Sequence, residues 1–97
     1  MSLRFEWDDA KASGNFEKHG VAFVDAAQIF AGPILRVRDE RNAYGEERFR
    51  AVGSVRGLVL VVIFTRRVEA IRIISAWKAG RNDRRRYDQI LADRIDR

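Results

Sequence analysis

The chain has 97 residues, 46% of them hydrophobic and 34% charged, with one histidine and no cysteine. This length is sufficient for one domain with its own core, and the lack of cysteine excludes disulfides and cysteine-ligated zinc. With carboxylates as the main remaining ligands, we expect no transition-metal site and no cofactor.

The length of the apolar runs predicts that the chain does not cross a membrane. The longest apolar run, Leu58 to Phe64, has seven residues, whereas a membrane helix needs about 20. The acidic N-terminus also lacks the apolar region of a signal peptide. We therefore expect a soluble, cytoplasmic protein.

Charge is unevenly distributed along the chain, which carries a formal net charge of +5. Residues 1–47 contain six Lys and Arg against nine Asp and Glu, whereas residues 48–97 contain thirteen against five. A cationic half of this kind suggests a surface that collects a polyanion such as RNA. An arginine-rich, solvated helix without a partner is the alternative.

The N-terminal third is predicted to be a short strand followed by two helices. Phe5 to Trp7 forms the strand, and Asp8 is a candidate N-cap for a helix over about Asp9 to His19, which Gly20 ends. A second helix, stopped by Gly32-Pro33, has apolar residues at i, i+3, i+4 and i+7: Phe23, Ala26, Ala27 and Phe30.

Four strands joined by short links follow and predict an antiparallel meander. They run from Ile34 to about Arg41, from Glu46 to Gly53, from Leu58 to Phe64 and from Ala70 to Lys78, with turns at Asn42–Gly45, Ser54–Gly57 and Thr65–Glu69. The third of these strands is apolar throughout, which indicates that both of its faces are covered.

The last strand alternates with a period of two. This places Ile71, Ile73, Ser75 and Trp77 on a core face and Arg72 together with Lys78 on the other. Burying an unpaired guanidinium is costly, so we expect Arg72 to reach a sheet edge, a carboxylate or a ligand oxyanion.

A final helix is predicted from about Asn82, a plausible N-cap. Its apolar stripe is Tyr87, Ile90, Leu91 and Ile95, and its first turn holds Arg84, Arg85 and Arg86. Positive charge there opposes the helix dipole, and a phosphate-binding role would account for it. The predicted fold is a single small α+β domain over residues 1–97. It consists of an antiparallel sheet with two N-terminal helices and one C-terminal helix packed on it.

Five motifs resemble the BrnT family of toxins. They are Phe5-Glu6-Trp7-Asp8; Lys11 with Asn15; Lys18-His19-Gly20-Val21 with Phe23; Gly45-Glu46-Glu47-Arg48; and Arg72-Ile73-Ile74-Ser75-Ala76 with the arginine-rich stretch before Tyr87. This resemblance implies a RelE-like fold and metal-independent ribonuclease activity in a type II toxin–antitoxin pair. It also implies neutralisation by a DNA-binding BrnA-type antitoxin, so that DNA is contacted only through the antitoxin.

The chain departs from the family pattern at Trp77, where family members usually read Ile-Ser-Ala-Arg. If the family arginine holds the scissile phosphate, its loss weakens cleavage. Trp77 could instead stack on an RNA base, or it could belong to the core.

Metal-free RNA cleavage requires a base for the 2′-hydroxyl, positive charge at the phosphate and an acid for the 5′-oxygen. His19 is a base or acid candidate, although a histidine at a helix end can serve as a cap. Glu47 beside Arg48 is an alternative base, and Arg72 and Lys78 are the best phosphate ligands. The catalytic candidates are His19, Glu47, Arg48, Arg72 and Lys78, and the RNA-binding candidates are Lys11, Lys18, Trp77, Arg81, Arg84, Arg85 and Tyr87.

Two functions remain open at this point. The first is an endoribonuclease toxin that cleaves RNA by 2′-hydroxyl attack and inhibits translation. The second is a non-catalytic, basic RNA- or protein-binding module derived from the toxin fold. Cleavage that persists in EDTA separates them.

Overall fold

The computed structural model of the chain describes residues 3–41 and 45–95, except for the side chain of Ile95. The elements in chain order are β1 (Phe5–Glu6), α1 (Asp9–His19), α2 (Phe23–Gln28) with a 3₁₀ turn (Ile29–Ala31), β2 (Leu35–Arg38), β3 (Phe49–Val55), β4 (Leu58–Arg66), β5 (Ile71–Lys78) and α3 (Arg81–Ile95). Most of the predicted turn at residues 42–45 and the place of Ile95 in the apolar stripe lie outside the described residues.

The sheet has five strands in the order β1-β5-β4-β3-β2. Strands β2 to β5 pair antiparallel with their neighbours in sequence, so the predicted meander is confirmed. Strand β1 pairs parallel to β5 over two residues, which makes the sheet mixed. None of the described helices is long and apolar enough to cross a membrane.

Helix α1 has the predicted bounds because both of its ends are capped. The Asp8 carboxylate accepts a hydrogen bond from the Lys11 backbone N–H at 3.0 Å, which satisfies one free donor of the first turn. Gly20 follows the helix with a φ of 70°, in the left-handed region that glycine adopts without steric cost.

Helices cover both faces of the sheet. On one face, Phe23, Ala26 and Ile29 of the N-terminal helical layer belong to the same buried cluster as the sheet residues Leu60, Val62 and Phe64. On the other face, Tyr87 of α3 packs with Val52 and Val61. As its composition predicts, the middle of β4 is buried on both sides.

A β-bulge in β5 changes which side chains share a face. Ile63 of β4 pairs with Ser75, whereas the next residue, Phe64, pairs with Ile73, so Ile74 is an extra residue in β5. Side chains after the bulge therefore point to the face opposite the one that a strict period of two assigns.

Two sequence-based predictions are wrong for this reason. Trp77 pairs with Val61 on the α3 face and does not share a face with Ile73. Lys78 pairs with Leu60, a residue of the α1–α2 face, whereas Arg72 pairs with Thr65 on the α3 face. Arg72 and Lys78 thus lie on opposite faces.

The start of α3 also differs from the prediction. The Arg84 N–H donates to the Gly80 carbonyl at 3.0 Å, and the helix begins at Arg81. Asn82 is therefore inside the first turn and is not the N-cap. The remaining strand and helix bounds agree with the sequence to within a few residues.

Candidate active site

Asn15 holds α1 against the outer edge of β5. Among the described residues, β1 covers this edge only at Ile71 and Arg72, which leaves the peptide groups nearer the end of β5 without a neighbouring strand. The buried Asn15 side chain takes that place at Ala76, where its Oδ1 accepts the N–H at 3.1 Å and its Nδ2 donates to the carbonyl at 2.9 Å. Nδ2 also donates to the Val21 carbonyl at 3.1 Å. The end of α1 is thereby fixed beside the end of β5.

These two ends form an open depression of about 510 Å³, lined by Lys18, His19, Trp77 and Lys78. We refer to these four residues as the His19 corner. The His19 and Trp77 rings are half-buried, with centroids 6.0 Å apart and planes inclined by 42°. Both lysines are exposed. The corner thus combines the only histidine of the chain with two ammonium groups and an aromatic ring.

The cations of the His19 corner have no carboxylate partner in the described part of the chain. Neither Lys18 nor Lys78 takes part in an ion pair there, and α3 begins only three residues after Lys78. Four further exposed cations without a described carboxylate partner follow in its first turns: Arg81, Arg84, Arg85 and Arg86. Lys11, also exposed, precedes Lys18 by two turns of α1 and extends the positive surface.

Arg72 lies at the other end of β5. Its Nη1 is 2.6 Å from Glu6 Oε2 of the neighbouring strand β1, so the expectation that it reaches a carboxylate is confirmed. Six residues separate Arg72 from Lys78, which corresponds to about 20 Å along a strand. Because the two side chains also lie on opposite faces, they cannot hold the same phosphate.

Glu47 and Arg48 are at the same end of the sheet as Arg72 and are also paired. Arg38 Nε is 3.6 Å from Glu47 Oε2, and Arg48 Nε is 3.5 Å from Glu46 Oε2. The Glu47 carbonyl accepts a hydrogen bond from the Thr65 hydroxyl at 2.6 Å, which ties this segment to the end of β4. The structure therefore separates this group from the His19 corner.

Tyr87 is in the core. It is 3% exposed, packs with Val52 and Val61, and donates its hydroxyl to the Pro33 carbonyl at 2.8 Å. Its hydroxyl and ring are both engaged inside the protein, which favours a role in core packing over the predicted contact with RNA.

Comparison with known families relates this geometry to a class of proteins. Residues 7–83 match the model of the ribonuclease toxin BrnT of type II toxin–antitoxin systems. The chain belongs to the BrnT family. The match includes every residue of the His19 corner and ends within the first turn of α3. A search of curated proteins gives no match to the chain.

Family membership has two consequences for a BrnT chain. The chain is a member of a family of ribonuclease toxins, and the toxin of a type II system has an antitoxin as its partner. The fold itself is an α+β domain with helices on both faces of one sheet.

Two contacts that organise this BrnT chain were not anticipated from its sequence. Asn15 shares an inward stripe of α1 with Ala12 and His19, at i, i+3 and i+7, and a polar residue on such a stripe signals a buried partner. Arg50 Nη2 lies 2.7 Å from Asp83 Oδ2 and joins the sheet to the first turn of α3. No local pattern indicates this second pair, because its members are 33 residues apart.

Proposed function

We propose that the protein is a metal-independent endoribonuclease toxin of the cytoplasm, whose reaction takes place at the His19 corner. It cleaves RNA by attack of a 2′-hydroxyl on the adjacent phosphate and so inhibits translation, until a BrnA-type antitoxin neutralises it. The observation that carries this proposal is the position of His19, in an open depression between Lys18 and Lys78, neither of which has a described carboxylate partner.

In the proposed reaction His19 is the general base. Its neutral imidazole accepts the proton of the 2′-hydroxyl, and the resulting oxygen attacks phosphorus. The ammonium groups of Lys18 and Lys78 stabilise the negative charge that builds up on the phosphate oxygens. One of these ammonium groups protonates the departing 5′-oxygen, so the products end in a 2′,3′-cyclic phosphate and a 5′-hydroxyl.

The surroundings of the His19 corner are suited to binding the rest of the RNA strand. The exposed cations Lys11, Arg81, Arg84 and Arg85 contact phosphates on either side of the scissile one. Trp77 packs against the α3-side core and also lines the corner, which leaves part of its ring available to stack on a base. The two roles considered for Trp77, core packing and base stacking, are therefore compatible.

The test is cleavage of single-stranded RNA by the purified protein in excess EDTA. We expect cleavage to persist, and mass analysis of the fragments to show 2′,3′-cyclic phosphate and 5′-hydroxyl ends. A matched preparation of the His19→Ala protein controls for contaminating ribonucleases. Activity that disappears with EDTA, or fragments with 5′-phosphate ends, would contradict the mechanism.

Trp77 gives weight to a second candidate function, a binding module without catalysis. It occupies the position where the BrnT pattern has an arginine, so the His19 corner has one positive charge fewer than that pattern provides. RNA binding without cleavage at any protein concentration would establish this alternative and exclude the first.

A further inference from the structure

A cleft of about 770 Å³ lies at the end of the sheet opposite the His19 corner. It opens on the α1–α2 face, at the point where the N-terminal helical layer ends with its 3₁₀ turn. Phe30, Phe64 and Ile71 contribute to its apolar floor. None of the residues that line it belongs to the His19 corner.

The rim of this cleft is cationic. It has four arginines and a single acidic residue: Arg4, Arg36, Arg66, Arg67 and Glu69. We refer to it as the arginine cleft. Its charge balance identifies the ligand as negatively charged.

The ion pairs of this rim are weak enough to be exchanged for those of a ligand. Arg66 has no partner in the described part of the chain, and Arg4 meets Glu69 only at 3.5 Å, with both side chains more than 70% exposed. Arg67 and Glu46 are also 3.5 Å apart. Exposed pairs of this length contribute between zero and about 1 kcal/mol, so a new carboxylate can replace them at little cost.

Aliphatic side chains are exposed among these arginines. Val68 is 101% exposed at the tip of the β4–β5 turn, and Leu3 is 56% exposed. Their removal from water would favour a ligand with apolar groups of its own. The arginine cleft therefore fits a ligand that carries carboxylates and aliphatic groups together, which describes an acidic, amphipathic protein segment.

RNA fits the arginine cleft less well, because bases stack on open aromatic faces. Phe64 is 1% exposed, and its ring is enclosed by Phe30 at 5.1 Å and Phe49 at 5.4 Å. The Phe30 ring also packs against Phe5 at 5.5 Å. The Phe64 ring is thus closed off by its neighbours, and of the two rings in the floor only the half-buried Phe30 is partly open, beside the exposed aliphatic side chains.

We propose that the arginine cleft is the docking site for an acidic, amphipathic segment of the antitoxin. Membership of a type II toxin–antitoxin family provides a protein partner, and the charge and apolar surface of the cleft specify the part of that partner that binds. The inference rests on the proposed toxin function but not on its cleavage mechanism. Strand geometry separates the cleft from the His19 corner by about 23 Å, so docking there leaves the corner free for other contacts.

The first experiment maps binding by nuclear magnetic resonance on the full chain. A synthetic amphipathic peptide of leucine and glutamate is titrated into the labelled protein, with a matched leucine–lysine peptide and poly(U) as separate probes. We expect the leucine–glutamate peptide to shift the amide signals of residues 66–71 and Arg36, the leucine–lysine peptide to shift none of them, and poly(U) to shift signals at the His19 corner. Poly(U) shifts at residues 66–71, or no shift there with the acidic peptide, would overturn the proposal.

The second experiment uses the antitoxin itself, identified as the protein that restores growth to cells expressing the toxin. Arg36→Glu and Arg66→Glu are each expected to weaken its binding by about 10-fold, because each removes an attraction and adds a repulsion. RNA cleavage by both variants should equal that of the unmodified chain, so the double variant should remain toxic in the presence of the antitoxin.

Arg94→Glu is the matched control, since Arg94 is an exposed arginine of α3 that lines neither the arginine cleft nor the His19 corner. Equal antitoxin affinity for the cleft variants and the control would refute the docking site. Absence of cleavage by the unmodified chain would instead count against the proposed catalytic function, because binding is read separately.

Discussion

Each end of β5 carries a cation, and over residues 3–41 and 45–95 only the first of the two, Arg72, forms an ion pair. At its start, Arg72 lies 2.6 Å from Glu6. At its end, Lys78 lines an open depression together with Lys18, and neither lysine takes part in an ion pair in the described part of the chain. A phosphate that binds Arg72 must displace a carboxylate, whereas one that binds Lys78 displaces only water. Positive charge in the sequence therefore does not by itself locate a phosphate site.

The same difference applies to the candidate bases. Glu47 lies beside Arg38 at the same end of the sheet as Arg72, among ion-paired residues. His19 lies beside Trp77 and two ammonium groups that form no ion pair with any residue the structure describes. We therefore assign the reaction to the His19 corner and a structural role to the ion-paired residues Glu47, Arg48 and Arg72 at the opposite end. Each of the following substitutions tests that assignment.

The largest expected effect is that of His19→Ala. Loss of a general base lowers the rate of RNA cleavage by about 100-fold to 10,000-fold. His19 is half-buried at the helix end, so the fold should persist, as checked by circular dichroism. The matched substitution at the other end, Glu47→Ala, should leave the rate unchanged. A larger loss with Glu47→Ala than with His19→Ala would move the reaction to the opposite end of the sheet.

Asn15→Ala should affect stability and activity together. Its buried amide satisfies the N–H and carbonyl of Ala76 and the carbonyl of Val21, and unsatisfied buried groups of this kind cost about 1–3 kcal/mol each. We expect the free energy of unfolding, measured in urea, to fall by about 3 kcal/mol. Cleavage should fall as well in conditions where the variant is fully folded, because α1 is no longer fixed beside β5.

Asn15→Asp tests the contribution of the two hydrogen bonds that the Asn15 Nδ2 donates, and we expect it to lower the free energy of unfolding. It retains an oxygen that can accept from the Ala76 N–H but loses the two donated hydrogen bonds. A stability close to that of the original chain would show that the Nδ2 contacts do not hold the corner together.

Sequence patterns predicted those parts of the fold that local chemistry determines. Asp8 and Gly20 mark the ends of α1 because each satisfies backbone groups or a backbone angle at its own position. The meander follows from the short links between strands, and the double burial of β4 follows from its apolar composition. In each case the determining residues are next to the feature that they determine.

The candidate site was predicted less completely, because its assembly depends on pairing between distant residues. The extra residue Ile74 in β5 follows another isoleucine, Ile73, and no glycine or proline marks the position, so the local sequence does not reveal the bulge that puts Arg72 and Lys78 on opposite faces. The partners of the arginines, such as Glu6 for Arg72, are assigned by strand pairing across 66 residues. Sequence patterns identified His19, Lys18, Trp77 and Lys78 as candidates, but the structure brought these four together and separated Glu47, Arg48 and Arg72 from them.

Trp77→Arg should raise activity while lowering stability. The ring packs against the α3-side cluster that contains Val61, so its removal lowers the free energy of unfolding by about 2 kcal/mol. The new guanidinium adds a positive charge beside His19, and we expect cleavage to rise by about 10-fold, the low end of the effect of one charge donor in a transition state. Trp77→Leu removes the ring without adding charge and should lower stability alone. Equal activities of the arginine and leucine variants would show that the charge at this position does not contribute.

The smallest and most direct comparison sets Lys78→Ala against Arg72→Ala, with RNA affinity measured over a series of salt concentrations. If Lys78 contacts a phosphate, its loss makes the plot of log affinity against log salt less steep by about 0.7 per contact. Arg72→Ala should leave the slope unchanged and should lower the free energy of unfolding by up to about 1 kcal/mol, since its partly exposed pair with Glu6 contributes at most that much.

Glu6→Gln is the control for the pair, because it removes the same attraction from the other partner and should lower stability by a similar amount. A flatter slope for Arg72→Ala, with no change for Lys78→Ala, would mean that Arg72 exchanges Glu6 for phosphate when RNA binds, and that the paired end of the sheet is the RNA site.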